Sequence, residues 1–156
     1  MIVINKITLA VVPLLLTAMT MGAADTHVDI YSAKDLDAMF QALAQGKKPF
    51  SSRDLPRYGN HYLMLAQREA TGSSEVHEHE ADIFVIQGGA ATIITGGKVV
   101  DPKTTTAGEI RGSSITGGER HILATGDIIH IPAGVPHQLI IDKAPFNYFV
   151  IKVTGQ

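Results

Sequence analysis

The sequence predicts an all-β fold, and three observations carry that prediction. From about His61 onward the chain is a succession of short segments rich in β-branched residues, among them HYLMLAQREA, EVHEHEADIFVIQ, DIIHIP, HQLIID and NYFVIKV. Gly-Gly, Gly-Ser, Asp-Pro, Thr-Gly and Ala-Pro pairs punctuate these segments, as turns require. No helical pattern separates them, so a parallel α/β sheet is disfavoured and a sandwich, jelly roll or barrel is expected. Fifteen glycines with 18% charged residues suit a turn-rich β protein, not a disordered one.

The first 24 residues are expected to stand outside that domain. MIVINK carries the single cation Lys6, an apolar run extends from Ile7 to Met19, and TMGAA follows with small residues. That order predicts a secretory signal peptide cleaved after Ala24, and hence a periplasmic or secreted protein. The apolar run is shorter than the roughly 20 residues that span a bilayer, and Pro13 interrupts it. Cysteine is absent, so neither disulfides nor thiolate ligands contribute. At 156 residues the chain is sized for one domain. Its net charge of −2 becomes −3 without Lys6, which offers no electrostatic case for nucleic acid or for a membrane surface after cleavage.

Residues 25–58 read as an N-terminal extension and 59–156 as the β domain. Within the extension, SAKDLDAMFQALAQ at 32–45 predicts the one helix. Ser32 is its N-cap, with Asp35 three residues on. Leu36, Met39, Phe40 and Leu43 form one apolar stripe, and Gly46 and Pro49 supply the stop. Further on, residues 93–100 predict a tight hairpin turning on Gly96-Gly97. The polar, Gly- and Thr-rich stretch 101–119 reads as an extended loop or a loosely held hairpin, serving as a lid or a dimer contact. Tyr62, Phe84, Ile86, Leu139 and Tyr148 are expected in the interior.

Chemistry concentrates in HEHEAD at 77–82 and GDIIHIPAGVPHQ at 126–138. His77 and His79 lie two residues apart, which on a continuous extended strand puts both imidazoles on one face. Glu78 and Glu80 alternate with them and are expected to point away. His137 follows the Pro-Ala-Gly turn and meets them from a distant segment. Imidazole with carboxylate suits Mn, Fe, Co, Ni, Cu or Zn, whereas Ca and Mg prefer oxygen shells. No Gly-x-Ser-x-Gly elbow, phosphate loop or basic aromatic face is present.

Together the two stretches resemble the two motifs of the cupin superfamily, over roughly Gly72 to Ile141. Gly72, His77, His79, Asp82 and Gly88-Gly89 align with the first motif, and Gly126, Pro132, Gly134 and His137 with the second. The resemblance implies a single antiparallel cupin barrel (jelly roll) with the helix packed outside. It implies His77, His79 and His137 as ligands of one divalent transition metal ion. Asp82, or a water, completes the site, Asp standing closer to His79 than the family's usual Glu. The implied function is an exported mononuclear metalloenzyme, of dioxygenase or isomerase type, acting on a small organic molecule. The alternative is a module that binds a small ligand or metal without turnover. No general base is identified; Asp82 and His130 are the first to test. Because imidazoles bind metal only when neutral, metal is expected to be lost below about pH 6. The resemblance also allows a homodimer, although nothing in the sequence selects its edge.

Overall fold

The computed structural model describes residues 27–155, so the segment expected as a signal peptide, including Ala24, lies outside the described residues. Among the described residues one helix precedes eleven strands. The helix α1 spans Ala33–Ala44 and is closed at its start by a capping box, in which the Ser32 side chain accepts from the Asp35 N–H and Asp35 accepts from the Ser32 backbone. The apolar stripe packs as its spacing predicts. Phe40 is buried, and Leu36, Met39 and Leu43 pack around it against Leu55, Leu65 and Phe149. Among the described residues no helix is long and apolar enough to cross a membrane.

Strand β1 (Phe50–Arg57), within the segment read as an extension, is part of the sheet and pairs with β2 (His61–Arg68). Then come β3 (Ser74–His77), β4 (Glu80–Thr95), β5 (Lys98–Val100), β6 (Lys103–Thr106), β7 (Glu109–Gly112), β8 (Ser114–Thr116), β9 (Glu119–Ala124), β10 (Ile128–Ile131) and β11 (His137–Thr154). Every paired set is antiparallel. Nine strands form one curled sheet with the path β1-β2-β11-β3-β7-β6, and β4 pairs with β11, β9 and β10. β11 is the spine: it pairs with β4 along its length, with β2 from Phe146 to Val153, and with β3 at His137. The fold is therefore all-β and barrel-like with one helix outside it, as expected.

The inward faces of β4 and β11 build the main core. Phe84, Ile86, Ile93, Leu139, Phe146, Tyr148 and Val150 are each at most 5% exposed. On β11 the inward set changes from odd positions (His137, Leu139) to even ones (Phe146, Tyr148, Val150, Lys152). The register shifts between Ile141 and Tyr148 account for the change. Gly89 permits the fold at this corner. Its φ is +81°, and a Cβ there would collide with the carbonyl oxygens of Lys143 and Pro145.

One local expectation is corrected, and one pair of alternatives is decided. Gly96 and Gly97 do form a left-handed turn, both with φ of 71°, but β5 does not fold back on β4. Both edges of β4 are already taken there, since Ile94 faces Gln138 on one side and Arg120 on the other. A strand has two edges, so β5 leaves the sheet and pairs with β8. Of the two readings of 101–119, the hairpin holds and the extended loop does not. β6 and β7 form a hairpin, and β7 pairs with β3.

Candidate metal centre

The first motif is not one continuous strand. β3 ends at His77, a bend covers Glu78 and His79, and β4 starts at Glu80. The cause is topological. His137 pairs with Glu75 of β3 and with Thr95 of β4, so β3 and β4 lie on opposite edges of β11 there, and the chain must cross between them. The bend is held by the Glu78 N–H donating to the Gly108 carbonyl at 2.8 Å. Alternation from His77 therefore runs backwards to Glu75, not forwards to His79. His79 is exposed, with its ring against Gly108. Of the four residues expected as ligands, the fold brings together His77, Asp82 and His137, each at most 5% exposed, and leaves His79 outside.

The second motif closes onto the first. In the turn Pro132–Val135 the Gly134 N–H donates to the His77 carbonyl at 2.7 Å. Gly134 has φ of 77°, a conformation suited to glycine. β11 begins two residues after the turn, which places the His137 ring 5.3 Å from that of His77.

Four donor atoms converge there. His77 Nε2 lies 3.4 Å from Asp82 Oδ2 and 3.5 Å from Glu75 Oε2. His137 Nε2 lies 3.7 and 4.0 Å from the same two atoms. Glu75, His77 and His137 offer donor atoms all within 4.8 Å of one another, a spacing that can hold a metal ion. The other ring nitrogens are committed elsewhere. His77 Nδ1 is 2.8 Å from both carboxylate oxygens of Glu109, and His137 Nδ1 is 3.1 Å from the Val135 carbonyl. With each Nδ1 proton donated outward, each Nε2, when deprotonated, presents its lone pair to the centre. Both Nε2 atoms are buried without a hydrogen-bond partner. Buried polar atoms rarely stay unpaired, and two aimed at one point beside two carboxylates fit a cation.

The surroundings keep the carboxylates ionised. Burial alone would raise the Glu75 pKa, but His77, Arg111, His137 and Arg68 outweigh it and hold it at about 2. Asp82 is likewise held below its usual range: burial opposes, and His77 and Lys152 prevail. Lys152 Nζ lies 2.7 Å from Asp82 Oδ1, an ion pair without hydrogen-bond alignment. Arg68 donates to Glu75 Oε1 at 3.1 Å and to the Tyr148 hydroxyl at 3.0 Å. Gly72 makes room for it, because a Cβ there would overlap the Arg68 guanidinium. Gly72→Ala is thus expected to keep the fold, displace Arg68 from Glu75 and weaken metal affinity about 10–100-fold, as read by chelator competition. An unchanged affinity would show that Arg68 does not orient Glu75.

Sequence reasoning missed Glu75, Arg68, Glu109, Arg111 and Lys152. A signal existed for two of them. Glu75 is two residues before His77, and Lys152 is four after Tyr148, both on inward parity. Glu109 and Arg111 arrive only through the pairing of β7 with β3, where Glu109 faces His77. Tyr62, expected in the interior, is half-buried and donates to Glu80. His130 is exposed, and with His121 it lines a separate surface groove. The donor cluster opens instead into a cavity of about 540 Å³ between β1, β2, β3, β4, β7 and β11.

No family model and no curated protein matches this sequence. Solved structures do. KdgF from Halomonas sp. aligns with a TM-score of 0.51 at 11% identity, over 69% of this chain and 82% of that one. The cupin domain of Cnp3 from Schizosaccharomyces pombe aligns at 0.51 with 8% identity, over 69% and 62%. Salicylate 1,2-dioxygenase from Pseudoaminobacter salicylatoxidans aligns at 0.56 with 12% identity, over 79% of this chain and 32% of that one. At such identities the likeness is one of fold. The curled antiparallel barrel is thus a fold that this chain shares with solved cupin structures.

Proposed function

We propose that this chain is an exported mononuclear metal-binding cupin, a metalloenzyme of dioxygenase or isomerase type acting on a small organic molecule. The observation that carries the reading is the pair of buried, unpartnered Nε2 atoms of His77 and His137 converging on two ionised carboxylates. Glu75, His77, Asp82 and His137 are the ligands in this reading, and His79 is not. Two imidazoles with carboxylate suit a divalent ion of the Mn-to-Zn series. When bound, such an ion supplies a Lewis acid with coordination positions open to oxygen donors. The protein's own groups hold and orient it. Glu109 keeps the His77 proton on Nδ1, Arg68 aims Glu75, and Lys152 holds Asp82. The cavity beside the cluster reaches exposed residues at its mouth, including Asp54 and Arg57, which favours turnover over a sealed structural site. Export rests on the pattern of the first 24 residues.

Elemental analysis of the purified protein tests the reading: about one equivalent of transition metal supports it, and none overturns it. The pH dependence is a second test. In the metal-free protein burial opposes protonation of His77, but the carboxylates of Asp82 and Glu75 close to its Nε2 prevail and push its pKa up to about 9. A metal must therefore displace a proton from His77 throughout the neutral range. Apparent affinity is expected to fall about tenfold per pH unit from about pH 8 to about pH 6, where an unperturbed histidine would cost only about fourfold over the whole range. The sign reverses for the metal-free protein. Its charged His77 stabilises the fold fully below the ordinary value of 6.5, and that contribution is lost as pH rises through about 9. Chelator competition and thermal melts, each against pH, check both directions.

A further inference from the structure

The cavity beside the donor cluster gathers cations. Arg57, Arg68, Arg111 and Lys152 all line it, four of the 13 lysines and arginines in a chain of net charge −2. Arg68 and Arg111 are spent on the site, Arg68 on Glu75 and Tyr148, Arg111 on Glu109 at 2.8 Å. The other two are differently placed. Lys152 Nζ is buried and aligned with no acceptor, so an ammonium with three N–H donors has only the ion pair to Asp82 within 3 Å. Arg57 lies at the mouth with its side chain 61% exposed, in a loose 3.6 Å pairing with Asp54. Its guanidinium sits 3.8 Å from the centre of the Tyr62 ring.

These groups form one row. Arg57 pairs in register with Tyr62, Tyr62 with Lys152, and Lys152 with Asp82, across β1, β2, β11 and β4. Neighbouring strands stand roughly 4.8 Å apart, so the row runs roughly 14 Å from the mouth to the donor cluster. Its wall also carries Met64 and Phe84. Five carboxylates line the cavity against four cations, so a bound divalent ion makes the wall net positive. A neutral ligand would leave the buried ammonium short of acceptors, whereas an anionic oxygen would satisfy it.

We propose that this cavity takes a small organic carboxylate, its charge received by Lys152 and Arg57 and its apolar body resting on Met64 and Phe84. The inference rests on the metal-centre reading and deepens it by naming the ligand class. Benzoate and benzamide make a matched probe pair, alike in shape and different in charge. Calorimetric titration of the Zn(II)-loaded protein is expected to show benzoate binding about tenfold or more tighter than benzamide. Lys152→Gln is expected to remove most of that preference. Arg57→Gln, at an exposed position that touches no donor atom, is expected to reduce it severalfold with metal content unchanged. Equal affinity for the two probes, no detectable benzoate binding, or an undiminished preference in Arg57→Gln and Lys152→Gln alike would overturn the proposal. The two readings fail separately. A protein that holds metal but shows no charge preference refutes the ligand class alone, and one that prefers benzoate but holds no metal refutes the metal centre alone.

Discussion

His77→Ala and His137→Ala are each expected to abolish stoichiometric metal binding, and Glu75→Gln to weaken it severely, while His79→Ala leaves it unchanged. The expectation follows from where each donor sits. The Nε2 atoms of His77 and His137 are buried, lack partners and share the carboxylate oxygens of Glu75 and Asp82 as neighbours within 4.0 Å. Removing either leaves two ionised carboxylates facing one imidazole, too few neutral donors to compete for a transition ion. Glu75→Gln keeps the shape and removes the charge. It also frees Arg68 and Arg111, which now neutralise Glu75 at 3.1 and 3.9 Å. His79 is exposed in the bend and contributes nothing within the cluster. Elemental analysis and chelator competition on the four variants decide the matter. Loss of metal in His79→Ala, with retention in Glu75→Gln, would reinstate the His-x-His pair as the ligands and refute Glu75.

Phe146→Ala is expected to destabilise the protein by about 3–5 kcal/mol, the usual cost of emptying a fully buried aromatic site. Phe146 is 0% exposed, and its ring lies 5.2 Å from that of Tyr148, so the two share one wall of the core. It also lies on β11, the strand on which β2, β3 and β4 all depend, where collapse around a cavity is resisted from both sides. Against a total stability of about 5–15 kcal/mol for a domain of this size, that loss leaves a marginal fold. Urea denaturation of the metal-free protein measures it without interference from ligand binding. Ile122→Ala is the control. At 80% exposed it is expected to change stability by no more than about 0.5 kcal/mol. A loss below about 1 kcal/mol in Phe146→Ala would mean that the corner collapses around the missing ring.

How much of this was legible in the sequence depended on the range of the interaction concerned. The helix was legible to within a residue at each end, because Ser32, Asp35 and the stripe from Leu36 to Leu43 act over a turn or two of chain. The interior positions of Phe84, Ile86, Leu139 and Tyr148 were legible for a similar reason, since alternation within a strand is local. Alternation misled at His79, where a strand stopped. Read as continuous, β3 and β4 place His79 beside His77; broken at Glu78, they place Glu75 there instead.

The sequence by itself determined the all-β class, the single outer helix and the inward positions of Phe84, Ile86, Leu139 and Tyr148, because short-range propensity, turn chemistry and strand period set those. Only the tertiary structure decided which residue accompanies His77 and what surrounds the cluster. The bend at His79 exists because β3 and β4 must occupy opposite edges of β11, and Glu109 reaches His77 because β7 pairs with β3 across more than thirty residues of chain. Edge occupancy is a property of the closed sheet. Each strand has only two edges, and which of them is free depends on every other strand at once.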